Sequence, residues 1–478
     1  MGVGTILALL NLIFSSILVF FSHPNSFFNE GLSFFAWFCY VPMIFVLRRI
    51  RIKFSFGAGF LYGVVLYALL CFWLFFYNFW AGFFVCLWEG FLFSLLFFSF
   101  SVIFKKNSRF AFILNSFLFL FFEWIGTKGY LGFSYGVLGY TQWKIAPFVK
   151  SSYFFGVWGT SFLLILVNFH IAEFIESILT SKKNTFLIKI SSIAVIVFMG
   201  VLICSSFIPV KDFSAKKLNV LLIQSNSDPW KEGIDEYERE VSYLIDLTNS
   251  ALKEYPDVHL VVWPESAVVV DVLTHFEQKK DLRRYKLAEN FFDYVNKLPC
   301  PLLLGNNHKD FNCAVLFTPE SEKKVPKSQV YQKNHLVPFS EDFPVCKLLL
   351  PIRKKMESAG NYFWHSGKKI TLLDLNGIKI GAPVCFEDTF SDIPKTMRKL
   401  GADLFVNLSN DSWSKSVACQ YQHLSIAVFR SAENRIPELR CTNSGQTCFI
   451  NSFGKLESMI KPFESTWLYC EVKLNRVE

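Results

Sequence analysis

The sequence predicts a polytopic α-helical membrane domain followed by a water-exposed α/β domain. The chain has 478 residues, of which 52% are hydrophobic and only 18% are charged. This composition, with a mean hydropathy of +0.34, excludes disordered, fibrous and ordinary soluble proteins. Residues 1–210 carry 18 of the 87 charged side chains, about 9% of that segment, whereas residues 211–478 reach about 26%, the usual share for a globular domain. We therefore divide the chain at residue 210.

Apolar runs of about 17–25 residues are long enough to cross a ~30 Å hydrocarbon core as helices. The first domain contains seven such runs, near 5–22, 31–47, 56–77, 83–104, 110–126, 154–178 and 187–208.

Lys and Arg are concentrated in alternate short loops, which are expected to be cytoplasmic. These residues are Arg48, Arg49, Arg51 and Lys53, then Lys105, Lys106 and Arg109, then Lys182 and Lys183. The longer loop 127–153 is the one exception, because the alternation places it outside the cytoplasm although it carries Lys128, Lys144 and Lys150. The amino terminus is then cytoplasmic and the second domain faces the periplasm.

Acidic residues within the apolar runs are few: Glu89, Glu123, Glu173 and Glu176. A carboxylate at membrane depth is either a functional group or a helix-packing group. Because no chain of such residues runs through successive helices, the pattern argues against a proton-coupled transporter.

The spacing of the cysteines and glycines predicts no metal or nucleotide partner, and we expect no nucleic-acid partner. The 12 cysteines show no Cys-x-x-Cys pair and no zinc spacing. Eight of them lie in the second domain, where disulfides are an open alternative. No Gly-rich phosphate loop is present, and we expect no cofactor.

Short β-branched runs alternate with helix-compatible stretches after residue 215, which is typical of a layered α/β domain. The predicted strands are Leu218–Gln224, Leu260–Trp263, Leu302–Leu304, Ala314–Phe317, Ile370–Leu373, Ile378–Cys385, Leu404–Asn407 and Cys448–Asn451. Helices are expected near 233–253, 276–297, 391–400 and 417–435.

Three segments each place a reactive group just after a strand. Glu265 follows Trp263-Pro264, where proline ends a strand. Lys333 lies in the segment Tyr331–Glu341, and Cys385 closes the run Ile380–Cys385. Alone, each has an ordinary interpretation: a turn carboxylate, a surface lysine and a small core residue. The order Glu, Lys, Cys is much harder to attribute to chance.

These segments resemble the nitrilase, or carbon–nitrogen hydrolase, superfamily. With the polytopic first half, the chain resembles the membrane-embedded branch, the apolipoprotein N-acyltransferase family of bacterial inner membranes. The matching segments are Trp263–Ala267, Lys333–Phe339 with Glu341, Cys385–Glu387, Ser409–Trp413, Gln422-His423, Thr442–Gly445 and Gly139–Gln142. The resemblance implies an αββα sandwich for the second domain.

The resemblance also implies the chemistry. Members of this family move an acyl chain from a phospholipid to the amino group of diacylglyceryl-cysteine on apolipoproteins, so we expect a phospholipid donor, a lipoprotein acceptor and an inner-membrane location. A cysteine thioester suits ester-to-amide exchange. Cys385 would be the nucleophile, Glu265 the general base and Lys333 the oxyanion donor.

Five further residues are expected to support or contact the reaction. The resemblance assigns Glu341 an essential role and Glu387 a supporting one. Trp230, Phe386 and Trp413 are candidates for substrate contact, with plain packing as the alternative. The aromatic loop 127–153 is expected to border the lipid entrance or to anchor at the interface.

Three departures from the family pattern stand out. Phe386 occupies a position where Tyr is common, and Ser340 one where Gly is frequent. The chain ends at Glu478 after an apparent last strand, where the family usually adds an eighth helix. This last departure leaves the anchoring of the far end of the domain open, but it removes no catalytic motif.

Two other functions remain alternatives. A membrane-tethered amidase or nitrilase would use the same triad but let water resolve the thioester. A transporter or scaffold would carry a degenerate nitrilase-like domain, against which the intact Glu265, Lys333 and Cys385 argue.

Overall fold

The computed structural model describes residues 3–106, 110–180, 185–209, 216–228, 230–320, 325–343, 350–358 and 362–474. The chain forms two compact units. One comprises Met1–Pro209 with Ser416–Phe429, and the other comprises Val210–Lys415 with Arg430–Glu478.

The first unit is entirely helical in its described part. Its α-helices are α1 Val3–Ser22, α2 Val41–Arg49, α3 Ile52–Leu70, α4 Phe72–Tyr77, α5 Phe79–Lys105, α6 Ala111–Gly126, α7 Ala146–Leu179 and α8 Thr185–Ser206, with 3-10 turns at Ser33–Trp37 and Leu138–Gln142. Among the described residues, five helices (α1, α3, α5, α7 and α8) are long and apolar enough to cross a membrane, while α6 is apolar but shorter. The chain is therefore a multi-pass membrane protein.

The second of the seven expected spans is not one continuous helix. Residues 31–47 instead contain the 3-10 turn and then the nine-residue α2, which at 1.5 Å per residue is about 13 Å long. Asn168 on α7 satisfies the backbone at this break: its Oδ1 accepts from Tyr40 N at 2.7 Å, and its Nδ2 donates to Ala36 O at 2.9 Å. Such side-chain partners are what an interrupted helix needs in an apolar surrounding.

Two other expected spans have internal breaks. The run 56–77 begins earlier, at Ile52, and divides at Cys71 into α3 and α4. Helix α7 extends the run 154–178 to residues 146–179, but Gly156 within it has φ 61° and ψ −174°. This positive φ is readily accessible to glycine, so Gly156 separates two helical segments.

The four intramembrane acids occupy different settings. Glu173 and Glu176 on α7 are ion-paired with Arg48, which supports the helix-packing interpretation. Glu89 and Glu123 line one cavity, and Glu123 Oε1 accepts from Leu138 N at 2.7 Å. The orientation in the membrane stays a prediction. Arg109, Lys182 and Lys183, on which it partly depends, lie outside the described residues.

Three aromatic side chains of the loop 127–153 contact residues 416–429 of the same unit. Tyr135 faces His423, Tyr140 faces Phe429, and Trp143 faces Tyr421, with ring centroids 5.4–6.3 Å apart. All three loop aromatics are buried. Packing within the unit therefore accounts for these three side chains, and a position of the loop at the lipid entrance or the interface stays a prediction.

The second unit is an α/β domain with two six-stranded sheets. Its strands are β1 Lys217–Gln224, β2 Leu260–Val262, β3 Leu302–His308, β4 Phe311–Thr318, β5 Lys327–Gln332, β6 Leu373–Leu375, β7 Ile378–Gly381, β8 Leu404–Ser409, β9 Glu438–Thr442, β10 Cys448–Ile450, β11 Leu456–Met459 and β12 Thr466–Lys473. Its helices are α9 Ile234–Glu254, α10 Val272–Gln278, α11 Leu282–Lys297, α12 Leu350–Ser358 and α13 Asp392–Lys399. Helix α14, Val417–Asn434, belongs to the first unit up to Phe429 and to this one from Arg430.

The strand orders are β12-β1-β2-β3-β4-β5 and β11-β10-β9-β8-β7-β6. The amphipathic helices α9 and α11 bury their apolar faces on the first sheet, around Trp263, Phe291 and Val261. The two sheets meet where the Cys441 thiol on β9 donates to Ile223 O and Val262 O, at 3.3 and 3.4 Å. This layered arrangement confirms the predicted fold class.

Most predicted elements are present, with instructive differences. Strands β9 and β11 and helix α12 were not predicted, and β5 was implied only by the expectation that Lys333 follows a strand. The expected helix 276–297 is divided into α10 and α11, and the expected strand Ile370–Leu373 lies instead at Leu373–Leu375. The strand expected over Ile378–Cys385 ends at Gly381, because Pro383 lacks the N–H that a ladder needs. The eleven described cysteines are free thiols, and Cys346 lies outside the described residues.

Candidate active site

Glu265 is positioned by the turn that ends β2. Pro264 stops the strand, and its carbonyl accepts from Gly305 N on β3 at 3.1 Å. A Cβ on Gly305 would lie 2.6 Å from the Glu265 Cα and 2.5 Å from Ser266 N, so only glycine allows β3 to approach this closely. Glu265 is 7% exposed, and its carboxylate is therefore delivered into the interior.

Lys333 follows β5 and is fully buried. Its Nζ lies 2.8 Å from Glu341 Oε1 and 3.5 Å from Glu265 Oε1. Asn312 on β4 lies between the two acids, because its Nδ2 donates to Glu265 Oε1 at 2.9 Å and to Glu341 Oε1 at 3.3 Å. One cation and one amide therefore hold together a buried carboxylate, that of Glu265, and a partly buried one, that of Glu341. Glu341 is fixed further by Val337 N, which donates to its Oε2 at 2.8 Å.

Cys385 begins a 3-10 turn, Cys385–Thr389, rather than ending a strand. Its φ is +52°, a conformation that costs energy for a non-glycine residue and often marks a functional site. The thiol is 8% exposed and interacts with the Glu265 carboxylate and the Ser409 side chain. The three residues predicted from their order in the chain thus lie at one place.

Glu387 is the hydrogen-bonding centre of the same turn and is fully buried. Its carboxylate accepts from three backbone N–H groups, those of Asn334, His335 and Val384, at 2.7–3.1 Å. The Tyr331 hydroxyl donates to both of its oxygens at 3.0 Å. Glu387 therefore ties the Lys333 segment to the Cys385 turn without contacting the triad's reactive atoms itself.

The electrostatics follow from burial and from Lys333. Burial raises the pKa of Glu265, and the Lys333 cation opposes that rise. Burial also raises the pKa of the Cys385 thiol well above its usual range, as does the nearby Glu265 charge, while Lys333 lowers it. For Lys333 itself, burial lowers the pKa, but Glu341 and Glu265 outweigh burial, and the net pKa is raised. At neutral pH the lysine is charged, and the thiol needs a neighbouring base.

This geometry can support nucleophilic catalysis. A thiol beside a carboxylate of raised pKa can lose its proton to that carboxylate when it attacks. A buried ammonium a few ångströms away stabilises negative charge that develops on an attacked carbonyl oxygen. Within the described residues, no group of three or more His, Cys, Asp or Glu side chains could hold a metal ion.

The three predicted contact residues lie in different surroundings. Phe386 is 9% exposed and packs edge-on against Phe390 at 5.0 Å. Trp413 is half-buried in the turn Asp411–Ser414. Trp230 is 54% exposed in the loop between β1 and α9. Substrate contact by any of them stays a prediction.

Sequence reasoning missed Asn312, Tyr331 and Gly305. An isolated Asn, Tyr or Gly within a strand carries no distinguishing pattern, and their roles follow only from the pairing of β3, β4 and β5. The signal that could have found Asn312 is its polarity in the otherwise apolar run Asn312–Phe317.

Comparisons with known proteins show the family to which the chain belongs. The family described as carbon-nitrogen hydrolase matches residues 223–478, and the apolipoprotein N-acyltransferase N-terminal domain matches residues 15–170. Apolipoprotein N-acyltransferase 1 of Treponema denticola is 35% identical over 98% of this chain and 90% of its own length. That of Treponema pallidum is 34% identical over 77% and 71%. Apolipoprotein N-acyltransferase of Borreliella burgdorferi is 29% identical over 97% and 89%.

Proposed function

Because this chain belongs to the apolipoprotein N-acyltransferase family, we propose that it moves an acyl chain from a membrane phospholipid to the free amino group of diacylglyceryl-cysteine on apolipoproteins. The family makes it a membrane-bound acyltransferase. The donor, the acceptor and the covalent route through Cys385 are our proposal. The observation that carries the proposal is the meeting of Glu265, Lys333 and Cys385 in one buried cluster.

The first half-reaction acylates Cys385. Glu265 accepts the thiol proton as sulfur attacks the ester carbonyl of the phospholipid. The resulting oxyanion is stabilised by the Lys333 ammonium, with the backbone N–H of Phe386 as the proposed second donor. The intermediate collapses to a thioester, and Glu265 returns the proton to the departing oxygen of the lysophospholipid.

The second half-reaction discharges the thioester to an amine. The free amino group of the lipoprotein attacks the thioester carbonyl, and Glu265 accepts the proton that this nitrogen loses. Lys333 again stabilises the oxyanion. Collapse forms the amide and breaks the C–S bond, and Glu265 returns its proton to the departing Cys385 sulfur, which regenerates the thiol. The same carboxylate must hold a proton and release it in each half-reaction, which a pKa raised by burial favours.

We further propose that the protein resides in a bacterial inner membrane with the catalytic domain predicted from the sequence, residues 211–478, facing the periplasm. The distribution of Lys and Arg in the loops of residues 1–210 supports this orientation. The relatives' names support a lipoprotein acceptor.

The proposal is tested by supplying purified protein with phospholipid and a diacylated lipopeptide bearing a free amine. The expected product is the triacylated peptide, detected by mass. Cys385→Ala should abolish it, whereas Cys300→Ala, a control at a buried cysteine of the same unit, should retain it. Release of free fatty acid with no peptide product would instead favour the hydrolase alternative.

A further inference from the structure

Two neighbouring residues of the second sheet form hydrogen bonds with the turn that carries Cys385 and with the segment that leads into it. Asn407 on β8 and Arg440 on β9 are register partners, so their side chains lie on the same face of the sheet. Asn407 Nδ2 donates to the carbonyls of Pro383 and Cys385, at 3.2 Å each. Arg440 Nη1 donates to the carboxylate of Asp388 in the turn.

Arg440 and Asp388 form a fully buried ion pair, with 0% and 1% of their side chains exposed. A second carboxylate, Glu438 on the same strand, lies 3.7 Å from Arg440 and is also buried. Asp411 interacts electrostatically both with Arg440 and with the Cys385 thiol. The Arg440 guanidinium is therefore the positive charge that interacts with three acidic side chains in and near the turn.

The turn needs such support because its conformation is strained. Cys385 has φ +52° without being glycine, and residues in this region stay there only when their surroundings impose it. Glu387 fixes the turn by accepting hydrogen bonds from backbone N–H groups. The Arg440–Asp388 pair fixes the next residue of the turn.

We propose that Arg440 is a positioning residue for the nucleophile. Its pair with Asp388 holds the turn Cys385–Thr389 in the conformation that presents the thiol to Glu265. This inference rests on the proposed function, because it takes Cys385 as the nucleophile. Arg440 has this role through its pair with Asp388, and the proposal assigns it no contact with the substrate.

A purely structural role is the competing explanation, since buried ion pairs are also common as packing features. The pair Arg430–Glu433 on α14 offers a matched control. It is 1% and 11% exposed, lies in the same unit, and connects residues three apart within one helix. Removing both charges of either pair leaves neither member of that pair without its counterion. In the Asp388/Arg440 variant, Glu438 also loses its contact with Arg440, and Arg440→Lys keeps a cation there.

The experiment compares Asp388→Asn/Arg440→Gln with Arg430→Gln/Glu433→Gln in the full-length protein. We expect the first variant to lower kcat for acyl transfer by about 10- to 100-fold, as expected for a misplaced reacting group, while KM for the lipopeptide stays within about twofold. The control should keep kcat. Arg440→Lys, which keeps the charge but loses the planar fork, should give an intermediate kcat.

Alkylation of Cys385 by iodoacetamide without lipid provides a second readout that needs no acyl transfer. In the wild type, Glu265→Gln should change the pH profile of alkylation. In the Asp388→Asn/Arg440→Gln background it should change the profile little, because the thiol is no longer held against Glu265. Asp388→Asn alone, nearly isosteric, serves if the double variant does not fold.

Two results would overturn the inference. One is a wild-type kcat and wild-type alkylation profile in the folded Asp388 variants. The other is an equal fall in kcat for the control pair, which would indicate general destabilisation. If wild-type Cys385 reacts with iodoacetamide but never takes an acyl group, the proposed function fails, and the alkylation comparison still decides the role of Arg440.

Discussion

Replacement of Lys333 by Met tests the electrostatic core of the site. The ammonium lies 2.8 Å from Glu341 and 3.5 Å from Glu265, with its own side chain fully buried. At an effective dielectric constant of about 20, these attractions are about 6 and about 5 kcal/mol before the cost of desolvation. Net destabilisation on removing one partner of a buried pair is about 3–5 kcal/mol. Loss of an oxyanion donor should lower kcat by about 10²–10³.

The variant should also respond differently to pH. Lys333 lowers the pKa of Glu265 against the effect of burial, so its removal raises that pKa further. The base form of Glu265 then exists only at higher pH, and the acidic limb of the pH–rate profile should move upward. Acyl transfer to the lipopeptide, measured from pH 6 to 9, reports both the fall in kcat and this shift.

Two further variants make the result decisive. Lys333→Met/Glu341→Gln removes one of the two carboxylates, so it should recover much of the stability but little of the activity. Lys327→Met, at an exposed lysine on β5, the strand that precedes Lys333, should leave activity and stability unchanged. A folded Lys333→Met variant with wild-type kcat would refute the oxyanion role.

The remaining predictions concern other parts of the account. Asn312→Ala removes a donor to Glu265 and so raises the pKa of Glu265. The value of kcat at neutral pH should therefore fall by about tenfold or more, and higher pH should partly restore it. An unchanged pH–rate profile would count against this prediction. Burial raises the pKa of Glu387 to about 7, so its contribution to stability is full below pH ~4 and is lost as pH rises through 7. Thermal unfolding of Glu387→Gln should lack this decline, and an identical decline would contradict the assignment. A reporter active only outside the cytoplasm should be active when fused after residue 215 and silent near Lys106, and the reverse pattern would exclude the periplasmic orientation.

The residues that we propose as catalytic could be singled out from sequence because each lies in a short segment that is recognisable without tertiary information. Pro264 marks the end of β2 before Glu265, and Pro383 precedes Cys385 by two residues. The exact conformation could not be predicted. Pro383 was expected to lie within a strand, but it ends the ladder and leaves Cys385 in a turn with positive φ.

The supporting residues could not be predicted because they depend on long-range pairing. Asn312 reaches Glu265 only because β4 pairs with β3 and β5, and Arg440 reaches Asp388 only through the register of β9 against β8. The same holds in the membrane unit. Asn168 on α7 stabilises a break in the helix near Tyr40, more than 100 residues away. From hydropathy alone, the segment that contains this break is predicted to be a continuous span.

The central claim, a covalent acyl-enzyme on Cys385, is tested most directly by incubating the protein with phospholipid alone. Without an amine acceptor, the acyl chain should remain on Cys385 as a thioester that survives denaturation and is released by neutral hydroxylamine. Cys385→Ala should carry no label, and adding the diacylated lipopeptide should discharge the wild-type label onto the peptide amine. No label on wild-type protein that is active in the complete reaction, or a label on another cysteine, would contradict the account.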